Sequence, residues 1–241
     1  MPPAVSGSFT PPPWRWIPDE RDRDRTRLGL IVLAVAVLSG LIPFVGPFAY
    51  LILGLVGAIV VITTRKSFGA YHRSNVKASV ASWILGFVVV VVGVAVAILI
   101  LISAAATGPA AMVGAIPVAV DTILGIGVVS TFLFGLAWVL LPYTLSSLDG
   151  RVFLWGAFGI DLGASFALAF FYRDALIVAM ILFATTSNTD AFTAAFTRLP
   201  FFSVASAVLY AIAYVLAARR VQRGEVAHST AEASPGGSGQ T

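Results

Sequence analysis

The sequence predicts an all-α membrane protein: a polytopic transmembrane helical bundle of six spans with both termini in the cytoplasm. Three observations carry this expectation. Apolar residues fill 59% of the 241 positions and charged residues only 11%, whereas a soluble domain carries about 25% charged residues. Uncharged runs recur near the ~20-residue length that an α-helix needs to cross ~30 Å of hydrocarbon. Lysine and arginine, finally, gather in the segments that six spans place on one side.

Residues 1–27 contain Pro2-Pro3 and Pro11-Pro12-Pro13 and end in four acids interleaved with four arginines between Asp19 and Arg27. Prolines cannot propagate a helix, so this segment is expected to be a disordered cytoplasmic tail leading into a solvated helix start. No secretory signal is expected, because the first apolar run begins only at Leu28. The transmembrane bundle follows over 28–218. Leu28 to Thr64 holds 37 uncharged residues with Pro43 and Pro47 in the middle, which predicts two short spans, 28–43 and 47–64, joined by a tight hairpin. A polar loop is expected over 65–77, with His72 a solvated residue in it. The third span is 78–104, with five consecutive valines from Val88 to Val92. Gly108-Pro109 and Pro117 predict an apolar loop before the fourth span, 122–142. The fifth span covers 152–172 and the sixth 201–218, and a basic, then disordered, cytoplasmic tail covers 219–241. The segment 175–199 is ambiguous: re-entrant, interfacial or a seventh span.

The distribution of charge favours six. In that arrangement Arg15, Arg21, Arg23, Arg25, Arg27, Arg65, Lys66, Arg73, Lys77, Arg151, Arg219, Arg220 and Arg223 are cytoplasmic, and only Arg173 and Arg198 are not. That is the positive-inside asymmetry. A seventh span would bury Asn188 and Asp190 and carry the C-terminal arginines outside. The basic balance (pI about 9.8) therefore reflects topology, and nucleic acid is not an expected partner. Expected partners are the lipid bilayer of the cell membrane and a membrane-protein partner or second copy of the chain.

The fifth span contains one charge, Asp161, near its centre. A carboxylate there costs about 2.5–3.5 kcal/mol on insertion scales and must face protein or water. At 100° per residue, Gly156, Gly159, Gly163 and Ala167 form a small-residue stripe suited to close helix packing. Trp155, Phe158, Leu162 and Phe166 form a bulky stripe suited to lipid. Asp161 shares a third side with Ala157, Ala164, Ser165 and Leu168. Asp161, Tyr210, Ser130 and Thr131 all fall near mid-depth, making them a candidate intramembrane polar site in which hydroxyls would stabilise the carboxyl.

Other chemistry is sparse. With no cysteine and only two histidines, His72 and His228, no metal site, cofactor or thiolate nucleophile is expected. No Walker loop, zinc-protease helix or dinucleotide fingerprint is present, and a serine nucleophile would lack a base within any span. The leading expectation is a non-enzymatic protein acting through helix–helix or partner contacts, as an accessory or scaffold subunit. The alternative is a small-solute or ion transporter or channel centred on Asp161, and a cavity reaching that residue would favour it.

Overall fold

The computed structural model describes residues 18–42, 45–186 and 200–226. The described residues form α-helices with no strand: α1 (Glu20–Ser39), α2 (Gly46–Thr63), α3 (Gly69–Thr107), α4 (Pro109–Leu140), α5 (Leu148–Phe171), α6 (Arg173–Thr186) and α7 (Pro200–Gln222), with a 3-10 turn at Arg65–Phe68. Four of them are long and apolar enough to cross a membrane: α3, α4, α5 and α7. The α1–α2 pair is shorter. Only twelve residues of α1, from Leu28 to Ser39, lie beyond its charged first turns, or about 18 Å at 1.5 Å per residue.

Six helices pack as a curled row in the order α3, α4, α5, α7, α1, α2. The row closes where Trp138 of α4 meets α2, 5.9 Å ring to ring from Tyr50 and directly over Gly54. Fully buried Leu30, Leu33, Val61, Val139, Leu154 and Tyr214 fill the space enclosed, whereas Ile84, Leu85, Val88, Val91 and Leu99 of α3 face outward.

Several polar contacts align the ends of these helices on one face. Ser67 donates to the Asp22 carboxylate, the Thr26 and Thr64 hydroxyls are 2.6 Å apart, and Arg220 donates to the Ser146 carbonyl at 2.5 Å. Arg23 lies against Gly224, so the start of α1 and the end of α7 share that face. At the other end Arg173 makes a two-point ion pair with Asp121, at 2.5 and 2.7 Å. Twenty residues separate Asp121 from Leu141, about 30 Å of helix and close to the hydrocarbon thickness. The ion pair and the Ser146–Arg151 region thus lie at opposite ends of the apolar helices.

Glycines set the close crossings. A Cβ on Gly29 or Gly57 would fall about 3.0 or 2.9 Å from the other's carbonyl oxygen, so α1 and α2 touch backbone to backbone. Gly135 of α4 receives the ring of Phe158, and Gly86 of α3 receives that of Phe134.

Four sequence expectations are corrected. Residues 20–27 are helical rather than tail, with Thr26 fully buried between α1 and α2. The polar loop 65–77 is a 3-10 turn followed directly by α3, a single helix of 39 residues. Only Gly108, at φ +130°, breaks the chain between α3 and α4; Pro117 sits inside α4. An interior proline costs about 3 kcal/mol, which the packing of Ile116, Val120 and Leu124 against Leu176, Ile177, Met180 and Ile181 of α6 offsets. α5 begins at Leu148, four residues early, because the Ser147 hydroxyl caps it by accepting from the Gly150 amide at 3.2 Å. The apolar part of the ambiguous segment is α6, whose 14 residues are too few to span. Residues 187–199 and both outer tails lie outside the described residues.

The stripe on α5 does not pack as expected. Gly159 and Gly163 face open space and Gly156 only touches Leu209, Ala167 is half-buried, and Phe158, expected at lipid, is buried. A paired substitution separates the two descriptions. Gly135→Ala and Gly159→Ala gain the same helix propensity, so they differ only in packing. Thermal unfolding in mild detergent should show Gly135→Ala destabilised by about 1–3 kcal/mol through overpacking against Phe158. Gly159→Ala should be neutral, or stabilised by up to ~1 kcal/mol; equal destabilisation of both would restore the stripe.

Candidate functional site

The candidate site is a cavity of about 220 Å³ lined by Val37, Gly40, Leu41, Tyr50, Trp138, Asp161, Ser206, Ala207 and Tyr210. Its walls come from five helices. α5 supplies Asp161 because Ala157, one turn earlier on the same face, is fully buried against the bundle and turns that face inward. Ten residues separate Asp161 from Arg151, about 15 Å of rise, so the carboxyl lies about midway along α5. α7 supplies Ser206 and Tyr210, one turn apart on a buried face with Ala213, Tyr214 and Ala217. α1 and its following turn supply Val37, Gly40 and Leu41. Tyr50 and Trp138 are the pair that closes the row of helices.

Ser206 lines the same cavity as the Asp161 carboxyl and is itself buried. Trp138 and Tyr50 meet ring to ring in the cavity wall. Tyr210 is 4% exposed, and its hydroxyl is buried with no hydrogen-bond partner. Tyr214 stacks against Tyr210 at 6.1 Å and donates to the Trp138 carbonyl at 3.3 Å. Tyr214, Leu33, Val61 and Leu154 are fully buried, so packed apolar core lies between the cavity and the basic face.

Of the four mid-depth polar residues expected together, the structure brings two to one cavity, Asp161 and Tyr210. Ser130 bonds back to the Gly127 carbonyl at 3.0 Å, the usual local solution for a serine in a helix. Thr131 accepts from Ser165 of α5 at 3.0 Å, crosslinking α4 to α5 away from the cavity. Sequence reasoning missed Tyr50, Trp138 and Ser206. Ser206 was findable, since it precedes Tyr210 by one helical turn; Tyr50 and Trp138 depend on how the row curls, which no local pattern encodes.

His72 was expected in solvent and is 1% exposed. It lies below the apolar stretch that begins at Ala78, with Nδ1 2.6 Å from the Thr144 hydroxyl, Nε2 unpartnered, and its ring edge-on to Phe68. It therefore ties the start of α3 to the α4–α5 turn. Among the described residues no group of three or more acidic or histidine side chains could hold a metal ion.

The sequence matches no protein-family model, and it matches no curated protein and no solved structure.

The His72 environment has a pH consequence. Burial pushes the imidazole down from 6.5 to about 4, since the charged form loses its hydration. An unfolded His72 gains a proton near pH 6.5 and the folded one only near 4. Stability from this residue is thus fully present above pH 6.5 and is lost as pH falls towards 4. The melting temperature in detergent should drop through that window, and should drop less in His72→Asn, which can keep the bond to Thr144. Identical pH profiles would show that His72 is hydrated in solution.

Proposed function

We propose that this multi-pass membrane protein binds a small cation, or a proton, at Asp161 and passes it between the membrane and the aqueous phase, as a transporter or channel does. One observation carries the reading: the carboxyl and the turn of a short hairpin line the same cavity. Non-helical backbone at membrane depth is tolerated only inside protein or beside water. Gly40 and Leu41 begin that turn and also form the cavity wall, which supports water reaching Asp161 from the hairpin side. A half-buried carboxyl in a cavity is an unsuitable crosslink, because a dry interhelical hydrogen bond is worth only about 0.6–2 kcal/mol and a void beside it forfeits packing.

The orientation belongs to the same proposal. The α1–α2 hairpin counts as two short crossings, giving six spans, and the arginine-rich face is cytoplasmic by the positive-inside rule. Reporters fused after Thr64 and after Arg223 should then be cytoplasmic, and one inserted at Pro109 extracytoplasmic. A C-terminal reporter found outside would overturn the six-span arrangement.

The scaffold reading, with Asp161 a dry contact between α5 and α7 and no enzymatic activity, predicts something different at the cavity. The chain has no cysteine, so single cysteines report without background. Leu41→Cys and Ala207→Cys should react with a small, impermeant thiol reagent applied from the outer side. Phe166→Cys, which points outward from the bundle, should be protected by lipid. Unreactive cysteines at 41 and 207 would favour the scaffold reading and reject the site.

A further inference from the structure

We infer that the Asp161 cavity is built for a small organic ammonium ion rather than a bare metal cation, an inference that rests on the cation-site reading above. The charge of the lining is one-sided: among its described residues Asp161 is the only acid, and there is no lysine, arginine or histidine. Such a pocket favours a single positive charge. The rest of the lining decides which kind.

A metal ion entering the membrane must exchange its hydration shell for a full set of oxygen ligands. This lining has few to give. The side-chain oxygens of the lining are those of Asp161, Tyr50, Ser206 and Tyr210, and the Trp138 indole can only donate. The side chains of Val37, Leu41 and Ala207 contribute only hydrocarbon. An ammonium group needs less, because its N–H bonds require a few acceptors and its carbon substituents are satisfied by apolar walls.

Two features meet that need. Tyr50, Trp138 and Tyr210 place three aromatic side chains around one carboxylate, and aromatic faces attract ammonium ions through the ring quadrupole, most strongly where water is scarce. The second is the Tyr210 hydroxyl, buried and without a partner. A buried hydroxyl with no hydrogen bond costs free energy, and its oxygen can accept from an ammonium N–H while its proton turns away. In this arrangement the charged head lies between Asp161 and the rings, with the alkyl part against Val37, Leu41 and Ala207. At about 220 Å³ the cavity is smaller than the ~300–1,000 Å³ of drug-sized ligand sites, which restricts the occupant to a simple amine or a quaternary ammonium with short substituents.

The test uses the purified full-length protein in mild detergent and a hydrophobic carbodiimide, with modification of the Asp161 peptide followed by mass spectrometry and Asp161→Asn as the blank. Methylammonium and tetramethylammonium chloride are compared with sodium and potassium chloride at matched ionic strength. The expected result is that an ammonium salt slows modification at least tenfold at concentrations where sodium and potassium do not. Tyr50→Leu should raise the half-protecting ammonium concentration roughly 2- to 30-fold, the range of one desolvated cation–π contact. Tyr210→Phe keeps the ring and the packing; it should weaken protection by methylammonium, which donates N–H bonds, but not by tetramethylammonium, which has none. Equal or better protection by sodium or potassium would overturn the ammonium assignment and leave the cation site standing. Modification indifferent to every cation would overturn both, leaving a proton as the only cargo. A wild-type Asp161 that never reacts would show a closed site and reject the assignment together with the site.

Discussion

Hydrocarbon offers no hydrogen bonds, and that constraint shapes every part of this chain. Backbone polar groups must pair within helices, so the protein is helical almost wherever it is described. A carboxylate has no such internal solution. Asp161 must find either protein or water, and its position on α5 obliges the bundle to bring something to it. α7 supplies Ser206 and Tyr210, and the α1–α2 hairpin supplies its own turn. The shortness of that hairpin matters here. With only about twelve residues of α1 beyond its charged turns, the chain reverses near the depth of the carboxyl instead of well above it. A longer hairpin would have buried Asp161 under a second layer of apolar side chains.

Because lipid is as apolar as a side chain, burial of apolar surface gives no driving force between helices, and packing must supply it. The crossings that do so are asymmetric. Gly29 and Gly57 allow backbone to meet backbone, while Gly135 and Gly86 each accommodate a ring from another helix. Ring-into-glycine packing positions the site more firmly than a flat small-residue stripe. Phe158 lodged at Gly135 fixes the rotation of α5, and Asp161, three residues on, is thereby held toward α7. Gly159 and Gly163 remain at the surface of the bundle, so the abundance of glycine on α5 does not itself report which face is packed.

Length and composition made the helices legible. The mid-depth carboxyl stood out for the same reason, as did Tyr210, whose depth follows from counting along its helix. Features that depend on pairing between distant helices were not legible. His72 looks like a loop residue among Lys66, Arg73 and Lys77, yet Thr144, seventy-two positions away, provides the partner that lets it be buried. Pro117 looks like a break, yet it sits inside α4 where α6 packs against Ile116, Val120 and Leu124. Thr131 looked like a companion of Asp161 by depth alone; its rotation on α4 points it at Ser165 instead. Depth is set by sequence position, whereas azimuth is set by which neighbours arrive.

The aromatic residues connect the site to the remainder of the fold. Trp138 bridges α4 and α2, faces the cavity, and through its carbonyl accepts the Tyr214 hydroxyl beneath it. Tyr214 stacks on Tyr210, and its helix runs down to Arg220, which holds the Ser146 carbonyl at the basic face. One side of the carboxyl therefore meets the turn of a hairpin and the other meets the Tyr210–Tyr214 stack. Displacing the Tyr210–Tyr214 stack would require α7 to move relative to α4, breaking the bond to Trp138 and loosening the contact between Trp138 and Tyr50 that closes the row of helices. Movement of α7 and loosening of the bundle are thus coupled through one tryptophan.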